Sequence, residues 1–269
     1  MQFDLAVIGA GNMAEAIVRG VLAARLYEAQ RIIAADIAAP RRELFRQLGA
    51  RVTADSAEAA RQAPIVLLSV KPQQMQQVLA TLRPAIAAET LLISIAAGKS
   101  TAFIERALDL ARPCRIVRAM PNTPMLVGEG MVALCAGRFA HAEDLQTARR
   151  IFESAATVIE VPEEMMDAVT AISGSGPAYF FFLVEQMIRA AQEMGLSAAD
   201  AHILATRTAA GAAKMLVAGG DSPAELRRKV TSPGGTTQAA IEAMESAGVP
   251  AAIVAALHRA CQRSRELGS

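Results

Sequence analysis

The sequence has no tryptophan, and aromatic residues make up only 4% of its 269 positions. Its apolar share, 53%, is instead aliphatic and rich in alanine, which lets helices pack closely. Extensive helix–helix contact and an obligate oligomer are expected from that. Cysteine is scarce: Cys114, Cys135 and Cys261 are far apart and odd in number. They offer neither metal spacing nor a disulfide framework, so no metal site is expected, and they read as reduced core thiols of a cytoplasmic protein. Lysine is scarcer still for a chain this long, with only Lys71, Lys99, Lys214 and Lys229. Twenty-seven basic residues against 26 acidic ones leave a net charge of +1, which gives no case for nucleic acid or an anionic membrane as partner. No apolar run approaches the roughly 20 residues that span a bilayer. The opening "MQFDLAVIGAGNM" has neither a basic n-region nor a cleavage site and does not read as a signal peptide. With 20% charged residues the chain reads as folded and soluble, and it is long enough for two ordinary domains.

Two rhythms divide it. The first part alternates short apolar runs with amphipathic stretches, the pattern of a doubly wound α/β sheet. Strands are expected at Leu5–Ile8, Arg31–Asp36, Ile65–Val70, Leu91–Ala96 and Arg115–Met120. Weaker candidates lie near Met131–Cys135 and Thr157–Val161, and helices fall between, as at Met13–Ala24 and Pro40–Leu48. From about Pro162 the strand signals stop. "EEMMDAVTAIS" opens a helical region, "PAYFFFLVEQMIRAAQEMG" starts with Pro177 and is closed by Gly195, and Ala201–Ala218 reads as a further helix ended by Gly219–Gly220. Ser222-Pro223-Ala224-Glu225 is a capping box with proline in the first turn. A domain over 1–160 and a second over 161–269 follow.

"VIGAGNMAEAI" joins the first strand to the first helix, with Gly9, Gly11 and Ala14 at the spacing of a dinucleotide fingerprint. Gly9 permits the tight turn, Gly11 lets backbone approach a pyrophosphate, and Ala14 lets the helix pack on the strand. The free N–H groups and dipole of the helix start then face the phosphates. Ile8, Gly9, Ala10, Gly11, Asn12 and Met13 are thus cofactor candidates. At the end of the second strand two readings stand. Asp36 suits the ribose 2′-hydroxyl of NAD, whereas Arg41 and Arg42 suit the 2′-phosphate of NADP. Three more loops leave carboxyl ends of strands: "SVKPQQ" with Val70, Lys71 and Pro72, "AAGKS" with Ala96 and Ala97, and "MPNTP" with Asn122 and Pro124. An open α/β sheet binds its ligand along that edge; Lys71 is placed for a ribose or phosphate, and Asn122 for a carboxamide.

In the helical half, "TSPGGTTQ" at 231–238 interrupts the helices. Ser232-Pro233-Gly234-Gly235 delivers the chain to a helix expected to begin near Thr237. Such a helix start carries unpaired N–H groups and partial positive charge, and two glycines let a small carboxylate come onto the backbone. Thr236 and Thr237 also suit a plain N-cap, and one of them is expected to serve as one. "SGSGPAY" at 173–179 repeats the device, with Ser175 either in a pocket wall or at a close helix contact.

"IGAGNM" at 8–13, "VKP" at 70–72, "MPNTP" at 120–124, "SGSGPAY" and "LRRKVTSPGGTTQAAIEAME" at 226–245 together resemble the pyrroline-5-carboxylate reductase family nearly end to end. The resemblance implies a Rossmann-like doubly wound α/β domain followed by an all-α dimerisation domain of 6-phosphogluconate-dehydrogenase-like architecture. It also implies an intertwined homodimer, often assembled into rings, and hydride transfer from NADPH or NADH to the C=N carbon of 1-pyrroline-5-carboxylate, giving L-proline. Ser232, Gly234, Gly235, Thr236 and Ser175 become substrate contacts by that likeness. Thr237 aligns with the family threonine that hydrogen-bonds the substrate ring nitrogen.

A hydroxyl-oxidising dehydrogenase needs a placed acid–base, most often His or Lys. His141, His202 and His258 lie in helical or linker contexts with no acidic partner at useful spacing and read as surface residues. A cyclic imine tolerates that lack, because its nitrogen is basic enough to take a proton from water. Catalysis by positioning is expected, without a dominant acid. Lys214 and Asp221 are the rival candidates. Lys214 resembles the helix lysine of the related β-hydroxyacid dehydrogenases, though a lone helical lysine also snorkels to the surface.

Overall fold

All four residues of Leu5–Ile8 are apolar, and a run without alternation suits a strand covered on both faces. The computed structural model, which describes residues 2–268, makes it β1, an inner strand of an eight-stranded sheet. On one side lie β2 (Ile32–Ala35) and β3 (Arg51–Thr53). On the other follow β4 (Ile65–Leu68), β5 (Leu91–Ser94), β6 (Arg115–Met120), β7 (Gly130–Ala136) and β8 (Ala156–Glu160). Neighbours pair in parallel except β6 with β7. The order reverses between β1 and β4, as a doubly wound sheet requires.

Helices α1 (Asn12–Ala23), α2 (Ala39–Gln47), α3 (Ser56–Arg61), α4 (Met75–Leu82), α5 (Thr101–Leu108) and α6 (Ala142–Glu153) cover the two faces. The strand period of two sorts the core. Leu5, Val7, Leu91 and Ile93 meet Ile17, Phe45 and Phe152 on one face. Ala6, Ile8, Val66 and Leu68 meet Met75, Leu79, Ile104 and Leu108 on the other. Each large side chain buried this way contributes about 1.5–3 kcal/mol. Burial also pushes the Cys114 thiol up to about 11 and the Cys135 thiol to about 12, so both stay neutral at physiological pH.

β3 is a strand that periodicity does not reveal, because it has one apolar residue, Val52, and lies at the sheet edge. Several strands also stop earlier than expected. Asp36, Val70 and Ala96 therefore stand in loops rather than in strands, which lengthens the loops along the carboxyl edge.

After β8 come α7 (Met166–Val169) and a π-helical turn over Thr170–Gly174. The compact unit built on the sheet runs to Ser175 and takes the chain back from Ala260; Gly176–Arg259 form a second unit. That unit contains α8 (Gly176–Glu193), α9 (Ala198–Ala218), α10 (Pro223–Lys229), α11 (Thr236–Ser246) and the first half of α12 (Val249–Gly268). The capping box of α10 is formed: the Ser222 N–H donates to Glu225 at 2.7 Å and the Glu225 N–H to the Ser222 hydroxyl oxygen at 3.2 Å. These bonds hold the Glu225 carboxyl below its ordinary range.

The second unit hides little of its own apolar surface. Ala191, Ala201 and Ala205 are buried, but Phe180, Phe181 and Phe182 of α8 are 65%, 67% and 64% exposed. Apolar surface on that scale is more than a monomer commonly leaves bare. Among the described residues no single helix is long and apolar enough to cross a membrane.

Candidate active site

Parallel register sets the site before any side chain does. Ile8, Ala35, Leu68 and Ser94 form one row across β2, β1, β4 and β5, so the loops that follow them leave the sheet in a line. The loop after β1 leaves no room for a side chain at its first residue. Gly9 takes φ +92°, and a Cβ there would stand 2.7 Å from the Ser69 carbonyl oxygen. Ile8 and Ala10 are buried, Gly11 and Met13 are half-buried, and Asn12 is exposed at the first position of α1.

Gly11 is the N-cap of α1, at φ −73° and without a capping side chain. A Cβ built on it meets nothing within 4 Å. The space in front of the helix start is therefore open right up to the backbone, and the first N–H groups of α1 face it with the helix dipole behind them. An anion such as a pyrophosphate fits there. Ala14 is fully buried, which lets α1 lie close on the sheet.

At the end of β2, Asp36 is engaged within the protein. The Ala10 N–H donates to its Oδ2 at 2.7 Å and the Ala38 N–H to its Oδ1 at 2.8 Å. The carboxylate thereby ties β2 to the glycine turn and retains lone pairs for a ribose hydroxyl. Arg41 donates to the Ala10 carbonyl and lies 3.0 Å from Glu15, while Arg42 donates to the carbonyls of Asp36 and Ile37 at 2.7 and 2.9 Å. Both guanidinium groups shape this rim through protein contacts. Ile37, unremarked in the sequence, stands 83% exposed beside Asp36 and offers an apolar wall to a flat base. An apolar residue held out in a turn is the signal that marks it.

Val70 is half-buried, Lys71 is exposed, and Pro72 opens a 3₁₀ turn. Ala96 is buried and Ala97 half-buried in the loop after β5. Asn122, 8% exposed, departs from the expected carboxamide contact. Its Nδ2 donates to the Ser173 carbonyl at 3.1 Å and its Oδ1 accepts the Met131 N–H at 2.9 Å. It ties the loop after β6 to the π-helical turn, leaving Pro124 half-buried at the start of a 3₁₀ turn. Ser175 follows that turn, with its N–H donating to the Thr170 carbonyl at 2.8 Å.

In the second unit, the loop at 231–238 corrects the expected cap. Gly235, not a threonine, is the N-cap of α11, and no side chain caps the helix. Gly234, at φ +70°, donates its N–H to Gln238 at 2.7 Å, and Gly235 donates to the Ser232 carbonyl at 3.0 Å. Thr236 and Thr237 are thereby helical from the outset, and among the described residues neither hydroxyl enters a hydrogen bond. The start of α11 is open, with Thr236 exposed and Thr237 half-buried. Of the rival residues, Asp221 pairs with Lys229 at 2.5 Å, and Lys214 is exposed on α9. His141, His202 and His258 are exposed.

Two family models match the chain, one in each half. A family described as pyrroline-5-carboxylate reductase dimerisation matches residues 163–267, and one described as NADP oxidoreductase, coenzyme F420-dependent, matches residues 4–98. The pyrroline-5-carboxylate reductase of Methanosarcina acetivorans is 42% identical over 262 residues, covering 97% of this chain and 96% of that one. The solved structure of a pyrroline-5-carboxylate reductase from Coxiella burnetii matches over 100% of both chains, with a TM-score of 0.89 and 36% identity. That of a Plasmodium falciparum pyrroline carboxylate reductase with NADP bound has the same TM-score and coverage at 29% identity. The chain therefore belongs to the pyrroline-5-carboxylate reductase family.

Proposed function

We propose that the chain reduces the C=N bond of 1-pyrroline-5-carboxylate to give L-proline, the last step of proline biosynthesis, in the cytoplasm. NAD(P)H supplies the hydride when bound. The observation that carries the reading is the uncapped start of α11, where the Thr237 hydroxyl is left unspent behind two glycines.

The division of labour follows from the residues. The 1–160 domain binds the nucleotide, with its pyrophosphate at Gly11 and its ribose beside Asp36. The 161–269 domain dimerises and binds the substrate. The open N–H groups at Thr236 and Thr237 and the Ser232 hydroxyl hold the substrate carboxylate by charge-assisted hydrogen bonds, and Gly234 and Gly235, whose own N–H groups are engaged within the loop, let it come onto the backbone. Thr237 Oγ1 holds the ring nitrogen. Held at two points, a small ring has one orientation, and orientation is most of what an easily protonated imine needs. No strong acid is required of the protein, so the proton at nitrogen comes from water.

The exposed phenylalanines of α8 are covered by a second copy in an intertwined dimer, which assembles into a ring of dimers. The 231–238 loop completes its site against that partner. The test is turnover: the purified chain is mixed with 1-pyrroline-5-carboxylate and either NADPH or NADH, and loss of nucleotide absorbance is followed with L-proline measured as product. Turnover with stoichiometric proline is expected. A chain that binds the nucleotide yet oxidises it with no imine contradicts the reading.

A further inference from the structure

The loop after β5 is held by the far end of the chain. Gly98 is buried at φ +73°, and a Cβ there would come within 3.0 Å of both the Leu267 Cβ and the Ser264 carbonyl oxygen. Gly268 in turn lies against the Gly98 carbonyl so closely that a side chain on it would collide. Two glycines meet here, and the last turn of α12 rests directly on the loop backbone. Glycine at 98 is thus demanded by α12, whatever a ligand demands of it.

A second, independent contact fixes α12 in that place. Ser264, 3% exposed, donates its hydroxyl to Asp167 Oδ1 at 2.6 Å, across 97 positions of sequence. Arg265 adds only an exposed approach to the same carboxylate at 4.0 Å, which contributes little. Asp167 belongs to the same short segment as Glu163. Glu163 accepts both the N–H and the hydroxyl of Thr101, at 2.7 and 2.6 Å, and Thr101 starts α5 at the exit of the loop. One segment, 163–167, thereby holds the loop's exit through Glu163 and the helix on its middle through Asp167.

We infer that the C-terminal turn of α12, latched by the Ser264–Asp167 hydrogen bond, is a positioning element that pre-orders the Ala96–Ser100 loop for the nucleotide. This rests on the nucleotide reading given above. A loop ordered before binding loses less conformational freedom when the ligand arrives, so its latch appears in nucleotide affinity. Ser264 and Asp167 touch no reacting atom in this account and act through the loop alone.

The experiment compares NADPH binding, by nucleotide fluorescence, in the full chain and in Ser264→Ala, Asp167→Ala and Asp167→Asn. Ser264→Ala and Asp167→Ala are expected to raise the Kd about three- to tenfold, the worth of one hydrogen bond. Asp167→Asn keeps an acceptor for Ser264 and stays close to wild type, and the KM for 1-pyrroline-5-carboxylate does not move in any of them. A chain ending at Arg263 loses more affinity than either point variant. If the point variants bind NADPH as the wild type does and only their thermal midpoint falls, α12 is structural cover and the inference is overturned. A wild type that binds no NADPH overturns the nucleotide reading, and the inference with it.

Discussion

Replacing Gly11 by valine is expected to leave the fold intact and to abolish useful nucleotide binding. The position has an ordinary φ of −73°, which any residue adopts, and a Cβ there meets no protein atom within 4 Å. The apo protein therefore accepts the side chain, at a cost of about 1 kcal/mol or less for changing an N-cap. The same open space is where a pyrophosphate must come onto the N–H groups of α1. An isopropyl group fills it. The Kd for NADPH is expected to rise at least about 100-fold, or roughly 2.7 kcal/mol, while the unfolding midpoint moves little. Fluorescence titration beside a denaturation curve reads both. Near-normal binding by the variant would remove the phosphate seat from Gly11.

Gly9→Ala is expected to do the reverse and damage the fold first. A methyl group there points at backbone: 2.7 Å to the Ser69 oxygen and 2.9 Å to the Ser69 carbonyl carbon. Backbone cannot step aside cheaply, because the Ser69 N–H donates to Ile8 and the Gly9 N–H to Ala35, each at 2.8 Å. The φ of +92° adds a conformational penalty for any residue with a Cβ. Together these cost roughly 2–4 kcal/mol, seen as a lower denaturant midpoint at unchanged slope. A variant as stable as the wild type would mean that the turn between β1 and α1 has slack that its geometry denies. The two glycines of one fingerprint thus have different work, and stability against affinity separates them.

That difference is legible in the fingerprint, which gives the tight turn to Gly9 and the pyrophosphate approach to Gly11; the Ser69 carbonyl that leaves no room for a side chain at Gly9 is not. What the sequence does disclose is the part carried by periodicity and by local chemistry. β1 and β6 are found where apolar runs place them, because burial on both faces leaves no other pattern. The Ser222–Glu225 box forms as read, because each partner is within the reach of the other once the helix starts. Long-range and geometric choices are hidden. An asparagine in a loop looks identical whether its amide meets a ligand or, as Asn122 does, the Ser173 carbonyl. Glycine and threonine both serve as N-caps, so which of Gly235, Thr236 and Thr237 starts α11 is settled by the turn that Gly234 makes. The meeting of Gly98 with Gly268 has no local signal at all, since both glycines read as ordinary turn or terminus residues.

Capping of α11 by Gly235 bears directly on catalysis. Were Thr237 the cap, its hydroxyl would be spent on the backbone, and its removal would be felt mainly in stability. Because Gly235 caps, the hydroxyl is free to hold a ring nitrogen. The deciding measurement is kcat/KM for 1-pyrroline-5-carboxylate in Thr237→Ala and Lys214→Ala beside the wild type. Thr237→Ala is predicted to lose about ten- to a hundredfold at unchanged stability, as loss of one positioned hydrogen bond does. Lys214→Ala, an exposed substitution on α9, is predicted to stay within about threefold of wild type, the range of surface changes. The opposite result, a near-normal Thr237→Ala with an inactive Lys214→Ala, would contradict catalysis by positioning and make the lysine the acid.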